Sequence, residues 1–429
     1  FCFRFDSGRA FKGIGITMDR TKNIDDGFQA LSKMGVNLAR IRLRPDFPFQ
    51  DRIDGESDSS SFRVDDMDSL LASAERSQIY IIIAPDGLVD PPNRRPGLDD
   101  SLSFNSFRNS RSAYPDSVNF IKYQSDYRHS LRSILARYGY HSHILAWELW
   151  NRDDHHADPS SDRINRLGEV ARELKLMDIH HHMITATGIS DDSPEILTIP
   201  ELDFYQFRID DSDSMVIKQE SKIYSESKTI GKARIISGIN LHSSRLKDTA
   251  GPGSHHAVLL QMLWLGLFTP TPIIPMIIHF DQITASPKLQ IAYQSLSHYN
   301  QTMFLRDTPL VRIDLKELDQ SMEPSADSNR LIIRNLKRGH ELFIWVQHPH
   351  YVRLISPSGF EFLPIENRVL VTGSFPDGRY RLEWWNPSTG DLISRQEILN
   401  HNQPEIYIPV PPVQHDLVGQ LIRMGELEF

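Results

Sequence analysis

Cysteine occurs once in the chain, as Cys2, so no disulfide can form within it. The fold must hold by packing and hydrogen bonding alone. Long apolar runs are also missing. The most apolar segment, Leu259 to Phe280, is broken by Pro270, Pro272 and Pro275, and it predicts a helix followed by a buried strand. No run reaches the roughly 18 residues that a membrane span needs, so no transmembrane segment is expected. Basic charge is not in excess. The 47 Lys and Arg stand against 56 Asp and Glu, a formal charge of −9, which argues against nucleic acid as a partner. A dinucleotide fingerprint is absent, because Gly13-Ile14-Gly15 lacks the third glycine and the helix start. No cofactor is expected. Internal repeats and low-complexity tracts are absent too.

What is present is an alternation of β-rich runs with amphipathic helical segments. The runs are Gly13–Thr17, Asn37–Leu43, Ile79–Ala84, Ile144–Leu149, Met183–Thr187, Phe204–Ile209, Arg234–Ser237 and Ile273–Phe280. The helical segments are Asp25–Met34, Met67–Ser77, Val118–Tyr138, Ser161–Met177, Val216–Ser227, His256–Phe268 and Leu289–Phe304. Eight such units are the count of a closed (β/α)8 TIM barrel, an α/β fold. The long segment Pro85–Ser117 is expected at the carboxyl-terminal face of that barrel.

Past Arg306–Pro309 only short β runs with turn signals remain. They are Leu331–Asn335, Glu341–Val346, Val352–Ile355, Arg368–Thr372, Gly378–Trp385, Ile393–Leu399 and Glu405–Val410. Turns are expected at Asn335–Gly339, Ser356–Gly359, Pro376–Gly378 and Asn386–Gly390. This pattern predicts a small all-β sandwich. The expected division is a barrel over residues 1–308 and a sandwich over 309–429. The chain opens on Phe1 rather than Met, from which a processed N-terminus and an extracellular or cell-envelope location are expected. A lipid on Cys2 is disfavoured, since it is not first and follows Phe. The sequon Asn300-Gln301-Thr302 falls on a predicted helix and reads as chance.

The run Ala146-Trp147-Glu148-Leu149-Trp150-Asn151-Arg152 resembles the strand-four signature of retaining glycoside hydrolases, W-E-L-W-N-E. Further segments resemble family 5 types, of the mannanase and cellulase kind. Gly35-Val36-Asn37-Leu38-Ala39-Arg40 is similar to the second-strand G-x-N-x-x-R. Ala136–Tyr140 and Leu174–Asp178 are similar to the segments before strands four and five. Pro376–Asn386, with Thr389-Gly390, resembles the small β-sandwich that trails these barrels.

The resemblance implies a general acid/base glutamate where Arg152 stands, and a nucleophile where Gly238 stands in Ile235-Ile236-Ser237-Gly238-Ile239-Asn240. No acid lies between Ala233 and Lys247. The strand-six histidine position is Arg208, and the strand-eight tryptophan platform is replaced in Pro275–Asp281. Arg40, which in the family braces the nucleophile, is kept. A guanidinium stays charged and cannot shuttle a proton at neutral pH. The resemblance therefore implies a hydrolase frame without its catalytic pair.

Three readings follow. The first is an inactive glycosidase-like protein that is a structural or binding part of an assembly with other protein subunits. The second is a carbohydrate-binding protein without turnover, with a polysaccharide held by Arg40, Trp150, Asn151, Asp153, Asp154, His242, His279 and Asp281. The third is a glycosidase in which Asp153 or Asp154 acts as a relocated acid. Histidines 155, 156, 242, 255, 256 and 279 fall near Asp153, Asp154 and Asp281, but none forms an H-x-x-x-H pair, and no metal site is expected. Ser237 and His242 lack the G-x-S-x-G elbow of a nucleophilic serine. His180–His182 precedes strand five and reads as a turn.

Overall fold

The structure, a computed structural model, describes residues 2–18, 21, 23–44, 62–63, 66–85, 131–151, 161–188, 194–210, 231–240, 252–269, 271–277, 280–304, 308–320, 330–353, 363–373 and 375–425. Two short strands, β1 (Phe3–Arg4) and β2 (Ala10–Phe11), form an antiparallel hairpin. Then come β3 (Gly13–Met18), helix α1 (Ile24–Lys33), β4 (Leu38–Arg44), β5 (Phe62–Arg63), α2 (Met67–Arg76) and β6 (Tyr80–Pro85). Residues 131–138 are helical and lead to β7 (Ile144–Asn151) and α3 (Ser161–Met177). The barrel part ends with β8 (Met183–Gly188), β9 (Phe204–Asp210), β10 (Ala233–Asn240), α4 (Pro252–Phe268), β11 (Ile273–Ile277), α5 (Phe280–Ala285) and α6 (Pro287–Phe304).

Strands β3, β4, β6, β7, β8, β9, β10 and β11 are parallel, each hydrogen-bonded to the next. The pairing of β11 with β3 closes the ring. All eight expected strands are present: β3, β7, β8 and β9 run a residue or two longer than expected, β10 runs four longer, and β4 and β6 are shifted by one residue. The last is shorter: it stops at Ile277, and Phe280 opens a helix instead.

Strand alternation splits the core in two. Ile14, Ile16, Ala39, Ile41, Ile81, Ile83, Trp147 and Ile184 face the helices. Leu38, Ile82, Ala146, Phe204, Ile235, Ile273 and Met276 fill the barrel interior. The hairpin closes the floor, with Phe3 5.3 Å from the ring of Phe204 and Phe11 5.1 Å from that of Tyr80. Gly15 is small because Met276 crosses the interior there; a Cβ would sit 2.7 Å from its Cγ. The glycines of β3 thus serve packing.

The antiparallel part comprises β12 (Lys316–Asp319), β13 (Ile332–Arg338), β14 (Glu341–Gln347), helix α7 (Pro349–Arg353), β15 (Arg368–Gly373), β16 (Gly378–Trp385), β17 (Leu392–Asn400), β18 (Glu405–Val410) and β19 (Asp416–Gly425). Two sheets, ordered β13-β14-β19-β16-β17 and β12-β15-β18, enclose Leu342, Ile344, Leu370, Leu382, Trp384 and Ile408. This is the expected sandwich.

Three local expectations are corrected. Val352–Ile355 was expected extended, but α7 runs through Arg353, because Pro349 presets the first turn and the His348 ring accepts from His350 N at 3.2 Å. A turn was expected from Asn335, but β13 continues to Arg338. The Asn335 side chain substitutes for a strand partner, bonding Ile313 N at 3.0 Å and Ile313 O at 2.9 Å. The turn is only Gly339-His340, with Gly339 at φ +57°. Strands β12 and β19 escaped the sequence pattern altogether. Expected segments 86–117 and 118–130, the helix at 216–227 and the turn at 356–359 lie outside the described residues.

The two parts share a core. Phe343, Trp345 and Val418 belong to the same buried cluster as the barrel helices. Trp345 stacks on Phe268 of α4 at 6.0 Å, and Tyr299 of α6 donates to Gly419 O at 2.6 Å. Of the Trp384-Trp385 pair, Trp384 is sandwich core and Trp385 turns to Tyr299 on the barrel. Asn300 of the sequon is buried on α6, its amide 3.4 Å from Lys12 O. Residues His180–His182 form the expected turn, with His181 at φ +56° and His182 on Asp178 at 2.9 Å. No helix of the described residues is long and apolar enough to cross a membrane.

Candidate functional site

The carboxyl ends of the barrel strands define the face where such folds place their sites. Just beneath that face the interior turns polar. Arg40, Glu148, Thr187, Gln206 and Ser237 are all buried there, two positions further along their strands than residues of the apolar layer or its neighbours. The alternation that points Leu38 and Ala146 inward also points Arg40 and Glu148 inward.

Arg40 and Glu148 form a two-pronged ion pair. Arg40 Nε donates to Glu148 Oε2 at 2.7 Å and Nη2 to Oε1 at 2.8 Å. Thr187 Oγ1 donates to the same Oε1 at 2.5 Å. Both charged side chains are essentially inaccessible, at 1% and 0% exposure. A planar guanidinium suits this geometry, and the hydroxyl adds a third bond to the carboxylate. Thr185 Oγ1 bonds Phe204 O at 2.9 Å, and Gln206 Nε2 reaches Thr185 at 3.4 Å. The layer is a fixed, charge-balanced floor under the mouth.

The expected roles divide on this geometry. Arg40 was expected to hold a glycan or brace a nucleophile. It is buried against Glu148. Gly238 is buried near the end of β10, and its register partner is Arg208 on β9. The pairing shifts between Ile236 and Gly238, so Ser237 sits in an irregularity, with its Oγ 3.4 Å from Phe207 O. Asn151 stands in register with Thr187 at the end of β7. Trp150 and Arg208 are placed by their backbones on β7 and β9, and Asp281 by its backbone on α5. Arg152, Asp153, Asp154, His242 and His279 lie outside the described residues.

Glu148 and Thr187 went unrecognised as partners of Arg40 in the sequence. The signal was parity: Glu148 follows the inward-facing Ala146 by two, as Arg40 follows Leu38.

No family model and no curated protein sequence matches the chain. Solved structures do. One described as a glycoside hydrolase superposes with a TM-score of 0.59 at 13% identity, over 98% of this chain and 94% of that one. A glycoside hydrolase family 5 protein from Bacteroides vulgatus gives 0.58 at 14%, over 99% and 91%. The fold is that of the glycoside hydrolase barrels. An endo-β-1,4-mannanase from Thermotoga petrophila gives 0.50 at 13%, over 94% and 99%. These alignments cover nearly the whole chain, so the glycoside hydrolase likeness takes in the sandwich as well as the barrel. At such identities it is a likeness of fold, and chemistry must be argued from the residues.

Proposed function

We propose that the protein is a catalytically inactive glycoside-hydrolase-like barrel that serves as a structural or binding component of a larger extracellular or cell-envelope assembly. Its partners are other protein subunits. The observation that carries this reading is the pairing of Gly238 with Arg208 at the ends of β10 and β9. Retaining hydrolysis requires two carboxylates about 5–5.5 Å apart, one of them a nucleophile. Glycine offers no atom to form the glycosyl intermediate. Arg152 at the acid/base position supports the same reading.

The test is turnover of β-1,4-mannan and cello-oligosaccharides by the purified chain. No release of reducing ends above a protein-free control is expected. Enzyme-like turnover that follows the protein through purification overturns the reading. The native mass of the protein drawn gently from its source complements this. A stoichiometric complex with other chains is expected, rather than a lone 49.3 kDa species. Saturable oligosaccharide binding without turnover makes the role a binding one.

A further inference from the structure

Strand β17 is the edge of the five-stranded sheet and pairs, among the described residues, only with β16. It is nine residues long, and one whole face of it is open. Ile393 is 48% exposed, Leu399 62% and Arg395 61%, with Arg395 Nε also donating to Glu383 Oε1 on β16 at 2.6 Å. Long edges with apolar side chains are templates for another strand, and proteins ordinarily blunt them. Here the open face reads Arg395, Glu397 and Leu399, with Ile393 bulged opposite the Trp384–Trp385 step, and its Arg395/Glu397 pair is complementary to itself when reversed.

We propose that β17 is a homodimer interface, in which two copies of this chain join their sheets by antiparallel pairing centred on Gln396. In that register Arg395 stands opposite Glu397 of the second copy, a pair that occurs twice, and Leu399 reaches the region of the bulged Ile393. Opposite charges and apolar pairs directly across a ladder stabilise it, and like charges destabilise it.

The charges select the register. Sliding by two residues in one direction sets Arg395 against itself, and in the other sets Glu397 against itself. A one-residue slip opposes the open face of one strand to the half-buried face of the other, and separates Arg395 from Glu397. A closed two-fold contact of this kind uses one patch twice and stops at two copies. The interface is independent of the barrel mouth, so an active and an inactive barrel dimerise alike.

The test begins with the mass of the purified full chain at tens of micromolar, by light scattering or sedimentation. About twice 49.3 kDa is expected. Glu397→Arg and Arg395→Glu are each expected as monomers with unchanged circular dichroism. Mixed together they are expected to restore the dimer, because the attractive pairs re-form. Register is read by cross-linking in a Cys2→Ser background, which removes the native thiol. Gln396→Cys meets its own copy at a Cβ separation of about 4.5–5.5 Å and is expected to form a disulfide dimer. Ser394→Cys, which faces position 398, is not. A monomeric wild type overturns the proposal. So does a dimer indifferent to Glu397→Arg, or a Ser394→Cys chain that cross-links as readily as Gln396→Cys.

Discussion

Arg40 and Glu148 are held together by burial as much as by charge. Taking both from water is costly, and only good geometry repays it. Their two-pronged contact and the Thr187 hydroxyl supply that geometry. Glu148→Gln leaves a buried guanidinium without its countercharge, and a loss of about 3–5 kcal/mol in denaturant unfolding is expected. Arg40→Met with Glu148→Leu removes both charges and is expected to recover most of that loss. Asp416 is a second buried acid. Burial pushes its carboxyl up to about 7, with only Trp345 Nε1, at 3.1 Å, holding it against that trend. A folded value above the unfolded one means its contribution to stability is complete below the unfolded pKa. It is lost as pH rises toward 7. The loss is on the order of 4 kcal/mol. Asp416→Asn is therefore expected to flatten the fall in stability between pH 4 and 7 and to change little below it, as read by unfolding across that range.

Single elements depend on close approaches that composition does not reveal. Helix α4 lies so near β11 that a Cβ on Gly266 would sit 2.1 Å from Pro275 Cδ and 3.2 Å from Ile274 Cα. Gly266→Ala raises helix propensity but forces the helix off the barrel. A net loss of about 1–3 kcal/mol is expected in thermal unfolding. The barrel strands were legible because each is a short β-rich run, and expected helical segments separate all of them except β8 and β9, between which only a 3-10 turn, Pro194–Thr198, is described. Strand β19 was not, though it is central in its sheet. Gly419, Gln420 and Arg423 interrupt its apolar pattern, and Gly419 is required because the Trp384 ring lies against it, 2.7 Å from where a Cβ would stand. Strand β12 reads Lys-Glu-Leu-Asp and is held by charge, with Glu317 on Arg368 at 3.0 Å. Its one apolar residue, Leu318, is exposed. At the site, Arg208 and Gly238 were named from motif positions, and the structure sets them in register on β9 and β10. The Arg40–Glu148 pair went unread: parity turns both inward, but the contact joins strands 108 residues apart.

At the scale of the molecule, the barrel and the sandwich do not have separate interiors. Phe343, Trp345 and Val418 pack into the cluster that holds Trp264, Phe268 and Tyr299. The parts are expected to unfold in one calorimetric transition. Trp345→Ala, which removes the stack on Phe268, is expected to cost about 3–5 kcal/mol and to split that transition in two. The shared interior also sets a timetable for biosynthesis. The apolar face of α4 emerges with Phe268, but its cover is incomplete until β19 has been made at Gly425. At about 5–20 residues per second, that interval of roughly 150 residues lasts about 8–30 seconds. Throughout it the nascent barrel carries an uncovered aromatic surface, so chaperone occupancy on the ribosome should peak there and fall away once the last strand docks.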